Sequence, residues 1–252
     1  MLAIERRNKI LEILQKESRV VVSDLSGLFQ VTEETIRRDL EKLEKEGFAK
    51  KTYGGAIINE SSNIDLPFTV RKTANVAGKQ EIAEIIASMI EDGDRIMLDA
   101  SSTAVYIAKQ LKKKNNLTVI TNSVEILVEL SDMVGWKVLS TGGIMREDSL
   151  SLVGHQAEKM IKSFHVDKAI VSCKGIDIEK GVTDYNEQEA QVKKQMLEAS
   201  NLRILALDST KFDRISFTKL CDLSEVNRIV TDEAPDNKWS NMEFDVYWTK
   251  NV

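Results

Sequence analysis

From about residue 80 to residue 232, short apolar β runs alternate with amphipathic helical segments, and no other feature limits the possible folds so tightly. "EIAEIIASMI" carries its apolar residues at helical spacing, "RIMLD" is a short β run, "STAVYIAKQL" is helical and "LTVIT" is β again. The cycle continues through "SVEILVEL", "WKVLS", "VGHQAEKMIKSF", "DKAIVS", "EQEAQVKKQMLEAS", "LRILALD" and "NRIVTD". Crossover helices between successive strands make those strands parallel. A Rossmann-like, largely parallel α/β domain over 75–252 is therefore predicted.

The first 57 residues follow a different pattern. Ile10, Leu11 and Leu14 mark the inner face of one helix, and Leu25, Leu28 and Phe29 mark a brief second one. Thr32 is placed to cap a third helix with Ile36, Leu40 and Leu43 inward, and Gly47 is placed to end it. "FAKKTYGGAII" then reads as two short strands around a tight turn. Short helix, turn, third helix and hairpin make a winged helix-turn-helix over 1–57. Residues 58–74 hold Ser, Asn and Pro67, one of only 2 prolines, and read as a partly ordered linker.

Bulk numbers exclude more than they assign. The chain of 252 residues has net charge −5, with 11 Lys/Arg against 10 Asp/Glu in residues 1–58 and 24 against 30 thereafter. Charge alone thus argues only weakly for a nucleic-acid partner. Cys173 and Cys221 lack a CxxC partner, and His155 and His165 supply no metal-ligand spacing, so neither metal nor cofactor is expected. Without a signal peptide or a membrane-spanning apolar run, a cytoplasmic protein with no membrane partner is expected.

Position says what total charge does not. With Ile36, Leu40 and Leu43 inward, the helical step turns Thr35, Arg37 and Arg38 outward. The third helix of such a fold enters the DNA major groove, where arginine reads guanine and threonine meets phosphate or a thymine methyl. Lys50, Lys51, Tyr53 and Gly54 on the hairpin suit the backbone beside it. With Thr32 and Glu33 at the helix start, these residues form the expected face toward double-stranded operator DNA. The competing reading is a solvated helix balanced by Glu33, Glu34, Glu41, Glu44 and Glu46 through ion pairs one turn apart.

In the second domain, polar groups recur where strands end, which is where open α/β sheets bind ligands. Asp99-Ala100-Ser101-Ser102-Thr103 opens a helix, Thr121 and Asn122 leave the next strand, and Gly142, Gly143 and Arg146 follow another. Lys211 follows a late strand. Hydroxyls, amides and fixed cations together suit a small phosphorylated sugar or polyol. Each piece alone is more often an N-cap, a turn or a surface lysine.

"RRNKILEILQKESRVVVSDLSGLFQVTEETIRRDLEKLEKEGFAKKTYGGA" closely resembles the DNA-binding domain of DeoR-type bacterial transcriptional regulators, with Tyr53 where such wings commonly carry histidine. Residues from about Arg71 to Asp232 resemble the sugar-phosphate sensor domain of the same family, similar in fold to ribose-5-phosphate isomerase. The landmarks are Arg71, Lys79, the Asp99–Thr103 loop, Thr121-Asn122, Gly142-Gly143, Arg146, Val153-Gly154, Asp167-Lys168, Gly175-Ile176-Asp177 and Ser209-Thr210-Lys211. Arg71, Lys79 and Lys174 join the ligand candidates on this resemblance. It implies a repressor of a carbohydrate operon, at least dimeric, whose effector signal passes through the joint near Pro67. The alternative is an isomerase-like enzyme fused to a DNA-binding domain. Against it, Cys173 and Lys174 stand where the isomerases carry acids, leaving Asp177 as a turn residue or a hydroxyl ligand.

Overall fold

The computed structural model describes residues 1–59, 66–239 and 244–249. The chain divides into two compact units, Met1–Ala74 and Asn75–Val252. No helix among the described residues is long and apolar enough to cross a membrane.

The first unit contains helices α1 (Ala3–Glu17), α2 (Val22–Phe29) and α3 (Glu33–Lys45), with strands β1 (Arg19–Val21), β2 (Ala49–Thr52) and β3 (Gly55–Ile58). Thr32 caps α3 by accepting from the Thr35 backbone N–H at 3.3 Å, and Gln30 takes the left-handed conformation in the turn before it. Ile10, Leu11, Leu14, Leu25, Ile36, Leu40 and Leu43 form the core, as their spacing predicts. Leu28 does not: it is 64% exposed, because this eight-residue helix buries only one side. The wing is a three-stranded antiparallel sheet in the order β1-β3-β2 rather than a bare hairpin. Gly55 permits this, since a Cβ there would overlap the Val20 carbonyl of β1.

Part of the stretch expected to be a linker is helical. Pro67 precedes α4 (Phe68–Thr73), which buries Phe68 and places Val70 in the core of the first unit. A helix of 6 residues shows too few turns for its periodicity to be read from sequence. Residues 60–65 of that stretch lie outside the described residues.

The second unit is built on strands β4 (Arg95–Leu98), β5 (Thr118–Thr121), β6 (Lys137–Ser140), β9 (Val166–Val171), β12 (Ser200–Ala206), β14 (Arg228–Val230) and β15 (Asp245–Tyr247). All pair in parallel, in the order β15-β14-β12-β9-β4-β5-β6. A short antiparallel hairpin joins β7 (Ile144–Arg146) to β8 (Ser151–Val153). A second antiparallel sheet contains β10 (Gly175–Asp177), β11 (Gly181–Asp184) and β13 (Thr218–Cys221).

The helices are α5 (Val76–Ser88), α6 (Ser102–Leu111), α7 (Val124–Glu129), α8 (His155–Lys162) and α9 (Glu187–Glu198). Helix α5 packs on α6 and α6 on α7, whereas α8 packs on α9. Met97, Ile120, Ala169, Val171, Leu205 and Ile229 share one core with Ala157, Ile161, Val192 and Met196 of α8 and α9. The alternate strand residues Ile96, Leu98, Val119, Ile170, Ile204 and Val230 are equally buried, as a sheet covered on both faces requires. The strand order reverses direction between β4 and β9, so the crevice of this sheet lies at their C-terminal ends.

Candidate functional site

Helix α3 presents its arginines as expected. Arg37 pairs with Glu33 at 2.5 Å and Arg38 with Glu34 at 3.2 Å, and all four side chains are exposed. Thr35 is only half-buried, with its hydroxyl 2.9 Å from that of Thr32. Beneath this face, Asp39 turns inward. Its carboxylate accepts from Arg6 Nε at 2.5 Å and lies 3.6 Å from Arg7, which fixes α3 against α1 by a buried ion pair.

On the wing, Lys50 is exposed and Tyr53 is fully exposed at the turn, beside Gly54 with φ of 82°. Lys51 ties the wing to α3: its ammonium lies 2.9 Å from Glu41, and its backbone N–H donates to Glu44 at 2.7 Å. The Lys51 hydrogen bond and charge hold the Glu41 carboxyl below the usual glutamate range. Each of Arg37, Arg38 and Lys51 therefore has an acidic partner in the free protein, as the solvated-helix reading required. Such exposed pairs are weak, so phosphate or a base edge can replace the carboxylate at small cost.

At the β4–β9 crevice, Asp99 is wholly buried and both of its oxygens are occupied. Oδ1 accepts from the Ser101 N–H at 3.2 Å and the Ser101 hydroxyl at 2.6 Å, and Oδ2 accepts from the Ser172 N–H at 3.0 Å. In this state Asp99 organises the loop rather than offering an oxygen to a ligand hydroxyl. The Ser101 hydroxyl in turn caps α6 by accepting from the Ala104 N–H at 3.0 Å. Ser102 and Thr103 form the first turn of that helix, where backbone N–H groups and hydroxyls attract anions.

Asn122 donates to the Leu152 carbonyl at 3.1 Å, and its buried Oδ1 has no donor among the described residues. Thr121 accepts from the Ser123 N–H at 3.1 Å. Gly142 and Gly143 take φ values of 64° and 112° after β6, and a Cβ on Gly143 would lie 2.6 Å from the Val153 carbonyl. Arg146 leaves β7 with Nε 3.6 Å from Glu189.

Lys211 closes the short turn after β12 by donating its N–H to the Asp208 carbonyl at 3.0 Å. Burial pushes the Asp208 carboxyl up, but Lys211, the Thr210 hydroxyl and the buried Lys79 outweigh it and hold it below the usual range. Both lysine charges therefore act on the carboxyl of Asp208, which follows β12. Lys174 follows β9, with its N–H donating to the Thr183 carbonyl at 3.0 Å. Arg71 lies on α4 in the first unit, where its Nε donates to the Leu66 carbonyl at 2.9 Å.

Three charged residues escaped the sequence reading. Lys193 on α9 sits 2.6 Å from Asp184 and 3.4 Å from Asp99, and Glu189 accepts from the Ser151 hydroxyl at 2.8 Å. The signal was present. Glu189 and Lys193 stand in register with Val192, Met196 and Leu197, so charges occupy the buried stripe of an amphipathic helix. Asp177 is a turn residue: its Oδ1 accepts from the N–H groups of Glu179 and Lys180, both at 2.9 Å. Cys173 and Cys221 are free and buried; burial pushes both thiols up to about 12, which leaves them protonated and unreactive. Asp167 and Lys168, at the start of β9, pair with Arg95 and Asp94 and so bind β9 to β4.

Residues 6–62 match the DeoR-like helix-turn-helix domain, and residues 74–233 match the DeoR C terminal sensor domain. The chain is 46% identical over 236 residues to the HTH-type transcriptional regulator YulB of Bacillus subtilis, covering 94% of this chain and 91% of that one. It is 36% identical over 232 residues to a putative aga operon transcriptional repressor of Escherichia coli O157:H7, covering 91% and 86% respectively. Among solved structures, ribose 5-phosphate isomerase A of Methanocaldococcus jannaschii shows a distant likeness, with 15% identity, 55% of each chain covered and a TM-score of 0.40. Both domain matches fall on the two units in order, and relatives named as regulators align along almost the whole chain: this protein belongs to the DeoR family of DNA-binding transcriptional regulators and is not an enzyme.

Proposed function

We propose that the protein represses an operon for carbohydrate use and that a phosphorylated sugar, bound at the β4–β9 crevice, controls its hold on DNA. The observation that carries this reading is the Asp99 loop. A buried carboxylate spends its hydrogen bonds on shaping a helix N-terminus and tying it to the end of β9, which leaves the donors of Ser102 and Thr103 for an anion. Lys79 and Lys211 supply positive charge at the end of β12, and Asn122 Oδ1 supplies an acceptor for a hydroxyl. Phosphate at one end and hydroxyls at the other describe a sugar phosphate. The E. coli relative's name, an aga operon repressor, supports the direction of control.

Thr32, Glu33, Thr35, Arg37 and Arg38 with Lys50, Lys51, Tyr53 and Gly54 form the operator face in this reading. A symmetric operator calls for at least a dimer. The effector must bind the DNA-competent and released states with different affinity, since only that difference moves the equilibrium.

A thermal-shift screen against hexose, pentose and polyol phosphates tests the sensor, because a ligand at 100 times its Kd stabilises by about 2.7 kcal/mol. The same compound should release the operator fragment in a mobility-shift assay. Lys211→Ala and Ser102→Ala should stay on DNA at ligand concentrations that release the parent protein. If no phosphorylated sugar shifts the melting point or releases DNA, the reading fails.

A further inference from the structure

Helix α9 carries an ammonium into the interior. The Lys193 side chain is 9% exposed, and the two carboxylates beside it, Asp184 at 2.6 Å and Asp99 at 3.4 Å, are wholly buried. Packing does not explain the charge, since an apolar side chain of similar length would fill the same space without desolvating an ion. Burial alone would lower its pKa, but Asp184, Asp99 and Glu189 outweigh that and keep the group charged.

What the charge reaches is specific. Asp99 Oδ2 faces Lys193 and the Ser172 N–H, while Oδ1 holds the N–H and hydroxyl of Ser101. Ser101 then accepts from the Ala104 N–H. One chain of contacts therefore runs from α9 through Asp99 to the start of α6, and branches to the end of β9 across the crevice. Low local dielectric strengthens each link of such a network and makes a missing link costly.

We propose that Lys193 is a positioning residue of the ligand site. Held by Asp184, its ammonium fixes Asp99 in one rotamer, and Asp99 in turn aims the first turn of α6; Lys193 itself does not touch the ligand. This rests on the reading of the crevice as the effector site. One helical turn earlier, Glu189 does the corresponding work for the β7–β8 hairpin by accepting from Ser151. A single helix thus fixes two of the segments that border the crevice.

The test follows backbone hydrogen exchange in the full chain, together with binding of inorganic phosphate and the sugar-phosphate panel. Lys193→Met leaves two buried carboxylates without their cation, so the charge-balanced variant Lys193→Met/Asp184→Asn is measured beside it. In the balanced variant the amides of Ser101, Ala104 and Ser172 should exchange about tenfold faster or more, while those of Ile204 and Leu205 in β12 keep their protection. Affinity for the phosphate probes should fall by a similar factor. Unchanged exchange at the three amides, acceleration spread evenly over the unit, or failure of the balanced variant to fold would each overturn the proposal. If the three amides respond but the parent protein binds no phosphate probe, the positioning role stands and the effector reading falls.

Discussion

The two units use charge in opposite ways. On α3 and the wing, Arg37, Arg38 and Lys51 lie at the surface and rest on glutamates within the same unit. At the crevice of the second unit, Lys193, Asp99, Asp184 and Glu189 are buried and locked to one another or to backbone. An exposed pair is screened, weak and exchangeable, which suits a surface that must trade carboxylates for phosphates. A buried pair cannot trade partners without leaving an uncompensated ion, so its use is to hold geometry. Arg6–Asp39 carries the second strategy into the first unit. Asp39 adjoins Arg38 in sequence but faces inward, so α3 is fixed on one side and exchangeable on the other.

That contrast breaks most visibly at Asp39. Asp39→Ala leaves the buried Arg6 guanidinium without its partner and should lower the unfolding free energy by about 3–5 kcal/mol. Urea denaturation measures this, and a loss under about 1 kcal/mol would show that the pair is already solvated. Next comes Gly55→Ala, which forces a methyl group against the Val20 carbonyl. Because the neighbour is backbone, the wing must shift, at a cost of about 1–3 kcal/mol. Operator affinity should fall with it, and the second unit should melt as before. Arg37→Ala and Arg38→Ala should leave stability nearly untouched. If either reads a base, discrimination between operator and random DNA drops by about 1–3 kcal/mol; if it meets phosphate, the salt slope falls by about one instead. Binding isotherms at several salt concentrations separate these outcomes, and no change in either quantity removes α3 from the groove.

What could be read from sequence divides along the same line. The parallel sheet, the helix-turn-helix core and the outward arginines were legible because they follow from periodicity, and burial enforces periodicity over many residues. Asp99, Ser101 and Asn122 could be singled out as candidates because strand ends are recognisable. Their roles were less so: that Asp99 spends its two oxygens on Ser101 and Ser172 is visible only in the fold. Leu28 was misjudged because a helix of 8 residues has too few turns to fix its inner face. Strands β1, β7, β8 and β10 were missed because three residues carry no alternation to detect. Lys193 and Glu189 were missed for a different reason. Charge in a helical segment is ordinarily assigned to solvent, and only their register with Val192 and Met196 opposes that assignment. Long-range pairs such as Arg6–Asp39 and Lys193–Asp99 are a property of the fold, so no local pattern announces them.

The smallest expected effect sharpens the comparison most cleanly. Glu41 and Lys51 join α3 to the wing, and both side chains are at least one-third exposed. Because the folded carboxyl titrates below its ordinary value, the contact adds stability above the ordinary glutamate pKa, and that contribution is lost as pH falls through the lowered one. The parent and a Glu41→Gln variant should therefore differ slightly in thermal midpoint near neutrality and converge in acid. On DNA the sign reverses. The variant frees the Lys51 ammonium and removes a carboxylate, so it should bind more tightly at low ionic strength, with a salt slope steeper by about 0.9 if one further phosphate is neutralised. That gain should shrink as salt rises, whereas a change that reshaped the wing would persist. Equal affinity at every salt concentration would mean that Lys51 serves the fold alone, and the exchangeable surface would then be confined to α3 and the exposed tip of the wing.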